Sequence, residues 1–358
     1  MHPTNTSGMP FDDVRRLLHT LPGPDEFAVA AVRARNKELT KLPGSLGELE
    51  AVVEWLAAWQ GSPTPAVRRP LVVVFAGNHG VATHGVSAYP QVVTRQMLDN
   101  FAAGGGAINQ ICATYDLGFK VFDLALDLPT GDITREPALD EKACVATLAF
   151  GMEAIAGGTD LLSLGEMGVG NTTVAAAIYT ALYGGPASHW VGHGTFGHVG
   201  KGSGSKGRHA ANGSGEGVAR KVAVVEAALA SHAGTLDDPL EVLRRLGGRE
   251  VAAAAGAILA ARLEHIPVLL DGYVVTAAAA ILHALDPSSI DHCRAGHVSP
   301  DGAHAEVLER IGKKPLLSLG ITLGEGTGAA LAAGIVKAAA AAHSGMSTRT
   351  QAGVSGPV

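Results

Sequence analysis

Two glutamates stand in nearly the same setting: Glu166 in LGEMGVGNTT and Glu325 in LGEGTGAA. Each follows Leu-Gly at the end of an apolar run (LLSLG and LLSLGITLG), and each precedes a glycine-rich turn that opens an Ala-rich helical pattern. A helix N-terminus exposes free backbone N–H groups and a partial positive charge, so a carboxylate placed there is expected to be held ionised. Glycine backbone beside it can cradle a phosphate. The pairing predicts chemistry on a phosphorylated small molecule, with a carboxylate handling a proton.

In the first motif Gly165, Gly168 and Gly170 allow close backbone approach, while Asn171, Thr172 and Thr173 offer polar groups to a phosphate or ribose. An ordinary strand-to-helix turn with a Thr cap would need neither the Glu nor three glycines. The segment contains no GKS or GKT and is not GxGxxG. In the second motif Glu325 lies between two glycines, so nothing bulky covers it; alone it would read as a solvated Glu at a helix start. A third segment, FAGNHGVATHGVSAYPQVVTRQM, places Asn78 and His79 at the end of an apolar run. Tyr89, Pro90, Gln96 and Met97 can form an apolar wall with an amide for a flat ring, although Met97 taken singly reads as core. His79 reads as a structural hydrogen-bonder rather than a catalyst. In GHVSPDG, His297 and Ser299 form a polar cluster or a simple capped turn.

These residues need a scaffold that brings strand ends to helix starts. PLVVVFAG, FKVFDLALD, TDLLSLGE, IPVLLDGY and KPLLSLGI read as strands, the first a buried parallel one. Helical patterns lie between them, and alternation over about 250 residues predicts an α/β fold with a mostly parallel sheet flanked by helices. Ligands in such sheets bind beyond the carboxyl ends of the strands, where both glutamates should stand. The first seventy residues read as helices, the third opening at Ser45 and Glu48 with the spacing of a capping box. Residues 192–217, rich in Gly and Ser with His193, His198, His209, Lys201, Lys206 and Arg208, read as a flexible loop. Its histidines lack HxxxH spacing and nearby cysteines, so no metal is expected.

Composition agrees. Of 358 residues 47% are hydrophobic but only 4% aromatic, which suits a Val/Leu/Ile sheet under Ala-rich helices. A net charge of −6 with no basic stripe argues against nucleic acid. MHPTNTSGMP has no apolar core and is not a signal peptide, and the Ala-rich stretches are shorter than the ~20 residues of a membrane span. Cys112, Cys144 and Cys293 are far apart, as expected in a reducing cytoplasm.

Taken together, LTKLPGSLGELE, AGNHGVATHGVSAYPQVVT, LGEMGVGNTT, DPLEVLRRLGGREVAAAAGAILAA, IPVLLDGY and LGEGTGAA resemble the nicotinate-nucleotide:dimethylbenzimidazole phosphoribosyltransferase family, from the lower-ligand branch of cobalamin synthesis. The resemblance runs from about Leu39 to Gly353. It implies a Rossmann-like large domain (70–325) and a small helical domain from residues 1–69 joined by a C-terminal helix, about 326–358. It implies a homodimer, no cofactor, and transfer of phosphoribose from nicotinate mononucleotide to dimethylbenzimidazole. By family match Glu325 is the general base and Glu166 a second active-site carboxylate. Gly165, Gly168, Gly170, Asn171, Thr172, Gly192, Gly194, Lys221 and Ser299 would hold the phosphoribose. Tyr89, Pro90, Met97 and Leu323 would face the base. The chain departs from the family pattern at Asn78, where many members have Asp, at Leu42, where Pro is frequent, and in the lengthened loop 192–217. Other readings are transfer to adenine, another benzimidazole or a phenol, for which Tyr89, Gln96 and Met97 would decide, or a non-catalytic nucleotide-binding protein. A dinucleotide oxidoreductase would need GxGxxG after the first strand, and AGNHGVATHG does not fit.

Overall fold

The computed structural model describes residues 10–197 and 210–355. Six strands form one sheet: β1 (Pro70–Ala76), β2 (Gly118–Asp123), β3 (Leu161–Met167), β4 (Val268–Leu270), β5 (Cys293–His297) and β6 (Pro315–Leu317). Their order is β2-β1-β3-β4-β5-β6, and every pairing is parallel. The sequence pattern finds five of these strands and misses β5. Its residues, CRAGH, carry an Arg and a Gly where a buried strand usually shows β-branched residues. Gly296 is needed because the Thr327–Gly345 helix crosses so closely that a Cβ there would lie 2.7 Å from the Ala329 Cα.

The pleat sends alternate side chains to opposite faces. Val72, Val74 and Leu269 join the core under the Glu26–Glu38, Glu48–Gln60, Ala107–Tyr115 and Thr327–Gly345 helices. Val73, Phe75, Leu162, Leu164 and Leu270 join the other core, under the Glu141–Ala154, Asn171–Tyr183, Arg249–Leu263 and Tyr273–Leu285 helices. The Pro10–Leu18 helix packs on this second face against Glu141–Ala154, while the end of the Glu26–Glu38 helix meets the residues after Thr327–Gly345 on the first. Leu39 bridges to Thr348, and the Arg35 guanidinium donates to the His343 and Met346 carbonyls. No described helix is long and apolar enough to cross a membrane.

Two local expectations fail. The third helix begins at Glu48 after Gly47, whose φ is +54°, and has no side-chain cap. The capping box does not form because Glu48 instead pairs with Arg294 and Lys314, and the nearby Glu50 takes the Leu46 N–H and the Lys41 ammonium. Of the segment 192–217, residues 198–209 lie outside the described residues. Residues 194–197 make one 3-10 turn, and the Ala210–Ser231 helix covers 210–217 rather than leaving them as loop. Glycine at 217 reads as a breaker, but it lets the helix pass over Phe196: a Cβ there would lie 2.6 Å from the Phe196 ring.

The chain leaves β1 toward β2 on one side and leaves β3 toward β4 on the other. The carboxyl ends of β1 and β3 therefore bound a topological switch point, the usual ligand crevice of an open parallel sheet.

Candidate active site

Glu166 is carried there directly by β3, in register with Phe75 of β1. Glu325 arrives by a different route. β6 ends at Leu317 at the far side of the sheet, and residues 318–326 return across its carboxyl edge before the Thr327–Gly345 helix starts. The two Leu-Gly-Glu motifs meet back to back. A Cβ on Gly165 would lie 2.4 Å from the Gly326 nitrogen, so only glycine permits the contact, and one on Gly324 would lie 2.6 Å from Glu166 Oε1. Glu325 is 5% exposed and adopts φ +60°, a left-handed backbone that is costly for a non-glycine residue.

The electrostatics reverse the expectation that the helix ends hold both glutamates ionised. Burial, reinforced by the Asp271 carboxylate, pushes the Glu325 carboxyl up to about 7. Burial and the charges of Asp271, Glu250 and Glu325 hold Glu166 well above the usual carboxylate range, against an opposing hydrogen bond from the Asn171 amide. The helix N–H groups are already engaged. Gly326 donates to Asp271 Oδ2 at 3.2 Å and Ala329 to Asp271 Oδ1 at 2.9 Å, so the favourable end of that helix is spent on Asp271.

A second group of donors gathers beside Asn171–Tyr183. The Lys221 ammonium is fully buried and donates to Thr172 Oγ1 at 2.9 Å and the Gly192 carbonyl at 3.0 Å. Burial draws it down to about 8. Gly194, at φ +52°, donates its N–H to Asp301 Oδ1 at 3.0 Å, and a Cβ there would crowd Lys221 Nζ at 2.9 Å. Ser299 Oγ accepts from the Asp301 N–H, and the Ser299 N–H donates to His304 Nδ1. Behind the turn stand Tyr179, Tyr183, Trp190 and Tyr273, a concentration of the chain's few aromatics; Tyr273 donates its hydroxyl to the Trp190 carbonyl at 2.6 Å and so fixes the strap leading to Gly192. The arrangement places a cation and a hydroxyl, Lys221 and Thr172, beside the Gly192–Gly194 strap, a setting suited to a phosphate.

The expected phosphoribose residues Gly165, Gly168, Gly170, Asn171, Thr172, Gly192, Gly194, Lys221 and Ser299 thus line the carboxyl edge or the strap beside it. The expected base-facing residues are more open. Tyr89 and Leu323 are more than half exposed, Pro90 and Gln96 are exposed, and Met97 is half-buried against the core. The Val92–Ala102 helix, which carries Gln96 and Met97, is tied to the site where Val169 donates its N–H to Thr94 Oγ1. Asn78 donates to the Leu126 carbonyl at 2.9 Å, a structural bond that an ionised Asp could not make. His79 stands 2.7 Å from Glu250, both side chains fully buried, but not in hydrogen-bond alignment. Sequence reasoning missed Asp271, Glu250 and Asp301. Asp271 had a signal: in VLLDG it ends an apolar run and precedes glycine, as Glu166 does in LGEMG.

A phosphoribosyltransferase family model, DBI_PRT, matches residues 21–354. The chain belongs to this family. Within it, the chain is 65% identical over 352 residues to the nicotinate-nucleotide–dimethylbenzimidazole phosphoribosyltransferase of Rhizobium etli strain CIAT 652, covering 98% of this chain and 99% of that one. It is 64% identical over 351 residues to the protein of that name from Rhizobium meliloti strain 1021, with the same coverage. The crystal structure of the enzyme of this name from Thermus thermophilus superposes with a TM-score of 0.81 at 40% identity, over 93% of this chain and 100% of that one. The six-stranded parallel α/β architecture is therefore the family's fold.

Proposed function

We propose that this chain transfers the phosphoribosyl group of nicotinate mononucleotide to dimethylbenzimidazole, releasing nicotinate and forming α-ribazole 5′-phosphate. The observation that carries this reading is the meeting of Glu325 and Glu166 over the β1/β3 switch point in a member of this family. The donor's pyridinium ring is cationic, and a crevice bounded by Glu166 and Glu325, with Asp271 buried behind them, favours a cation. The benzimidazole lone pair attacks C1′ from the face opposite nicotinate, turning a β bond into an α bond. The old glycosidic electron pair leaves on the nicotinate nitrogen, which becomes neutral and needs no acid. The proton on the other benzimidazole nitrogen passes to Glu325. A base whose carboxyl sits near 7 matches such a transfer at neutral pH, and the substrate's positive charge favours its ionised form.

In this reading Glu166, with Asn171, orients the ribose, while Lys221, Thr172, Ser299 and the Gly192–Gly194 backbone hold the phosphate. Tyr89, Pro90, Gln96, Met97 and Leu323 receive the flat base. The exposed Phe27 and Leu42 are consistent with a homodimer, in which a partner would cover apolar surface left open in one chain. We assign the Glu26–Glu38 and Glu48–Gln60 helices with the C-terminal helix to a small domain, residues 70–325 together with the Pro10–Leu18 helix to the catalytic one, and the enzyme to the cytoplasm.

The test is incubation with nicotinate mononucleotide and dimethylbenzimidazole beside a Glu325→Gln variant, with nicotinate and α-ribazole phosphate followed by chromatography and mass detection. Product from the wild type and a loss of at least ~10²-fold in the variant support the transfer and the base. Nicotinate without ribazole phosphate indicates another acceptor. Tight nucleotide binding with no turnover on any panel base, phenols included, makes it a binding protein.

A further inference from the structure

The buried carboxylate behind the base has no role in the transfer step itself. Asp271 follows β4 directly, with 0% exposure. The Thr327–Gly345 helix has Gly326 as its N-cap, with no side chain to satisfy the first-turn N–H groups. Asp271 supplies both oxygens from another part of the sheet, to the N–H immediately after Glu325 and to that of Ala329. Next to it, at the end of β5, His297 is 1% exposed. Its Nε2 lies 3.5 Å from Asp271 Oδ1, and neither ring nitrogen has a hydrogen-bond partner among the described residues. The ring is packed into place by glycines: a Cβ on Gly328 would lie 1.9 Å from His297 Cδ2, and one on Gly272 would lie 3.3 Å from Nε2. The ring is thus held with its Nε2 toward the Asp271 carboxylate.

We propose that Asp271, steadied by His297, is the positioning residue of Glu325: by gripping the Gly326 and Ala329 N–H groups it locks the base in its left-handed backbone and against the Glu166 end of β3. This rests on the reading of Glu325 as the base. Two consequences follow from one carboxylate. The left-handed turn at Glu325 is held by bonds on its C-terminal side, so the base keeps its aim without a side-chain donor of its own. The helix N–H groups also satisfy Asp271 rather than Glu325, and the Asp271 charge adds to burial in keeping a proton on the base. Besides Asp271, the titratable group facing Glu325 is Glu166 from β3, whose own surroundings include Glu250; His297 stands against Asp271 on the side away from the base.

The test compares Asp271→Asn, His297→Gln and the wild type. In Asp271→Asn, kcat is expected to fall at least ~10-fold with the nucleotide KM within about threefold, and the acid limb of kcat/KM to move to lower pH. His297→Gln leaves the Asp271 carboxylate in place and serves if Asp271→Asn does not fold; a smaller loss in kcat alone is expected. A second measurement does not depend on turnover. Glu325→Gln is made in the wild-type and Asp271→Asn backgrounds, and melting is followed at pH 8. The substitution is expected to raise the melting temperature in the wild-type background. In the Asp271→Asn background the gain is expected to be smaller but not abolished, because the Asp271 repulsion is gone while the burial of the carboxylate remains. An acid limb unmoved in Asp271→Asn, an equal melting gain in both backgrounds, or full kcat in His297→Gln each overturns the proposal. If the wild type turns over no base while the melting gain still depends on Asp271, the transfer reading fails and the coupling of Asp271 to Glu325 stands.

Discussion

The two carboxylates of the site are built by opposite means. Glu166 extends from a strand paired on both sides, in regular backbone, and takes a hydrogen bond from the Asn171 amide five residues on. Glu325 sits in a loop at φ +60° and receives no side-chain donor among the described residues; its backbone is held through Asp271. Each has a fully buried histidine–carboxylate pair behind it, His79 with Glu250 at 2.7 Å and His297 with Asp271 at 3.5 Å. The contrast teaches a division of labour. Both carboxyls are held above the usual carboxylate range, so what separates them is their setting: the strand and the Asn171 amide suit Glu166 to holding ribose, whereas Glu325, with no such donor, is left open to take a proton.

The sharpest way to break this comparison is to neutralise each side in turn. Glu325→Gln is expected to lower kcat by ~10²–10⁴ with little change in nucleotide KM. Glu166→Gln is expected to cost less in kcat and to raise KM; steady-state kinetics in which Glu166 costs more would reverse the roles. Lys221→Met removes the buried cation and should raise the nucleotide KM by about 10- to 100-fold, the range of a charge-assisted hydrogen bond; an unchanged KM would move the phosphate elsewhere. Gly165→Ala attacks the contact between the two motifs, since its Cβ would meet the Gly326 backbone at 2.4 Å. Overpacking of this kind costs about 1–3 kcal/mol, so urea unfolding should show a loss of that order together with a fall in kcat.

The pH dependence sharpens the comparison further. The base must be ionised, so kcat/KM for the free enzyme should rise with pH through about 7 and lose this limb in Glu325→Gln. Stability should show the opposite sign. A carboxyl raised in the folded state favours the fold while protonated, a contribution present below about pH 4.3 and lost as pH climbs through 7. Glu325→Gln should therefore be more stable than the wild type at pH 8, by at most about 4 kcal/mol, with no difference near pH 4. Chemical denaturation at the two pH values checks it.

Much of this was legible along the chain. PLVVVFAG and TDLLSLGE announce buried parallel strands because apolar, β-branched runs ending in glycine have few other uses, and the two Leu-Gly-Glu motifs stand out because a carboxylate at such an end needs a reason. What escaped were features whose local pattern contradicts their place. CRAGH is a strand because β4 and β6 flank it and a helix crosses close over Gly296. Gly217, read as a breaker, is helical because the helix passes close over Phe196, and Ser45 and Glu48 match a capping box that ion pairs across the fold override. Tertiary contacts outweigh local preference in each case.

The sequence by itself determined the strand–helix alternation, the parallel sheet and the two carboxylates at its carboxyl edge, since these depend on hydrophobic period and on residues adjacent in the chain. Only the tertiary structure decided that Glu325, leaving the far edge strand, returns across the sheet to lie against Glu166, and that Asp271 claims the helix end first. The proton affinity of a carboxylate is set by what surrounds it in three dimensions, and those neighbours come from β3, β4 and the Arg249–Leu263 helix, segments that no spacing along the chain connects.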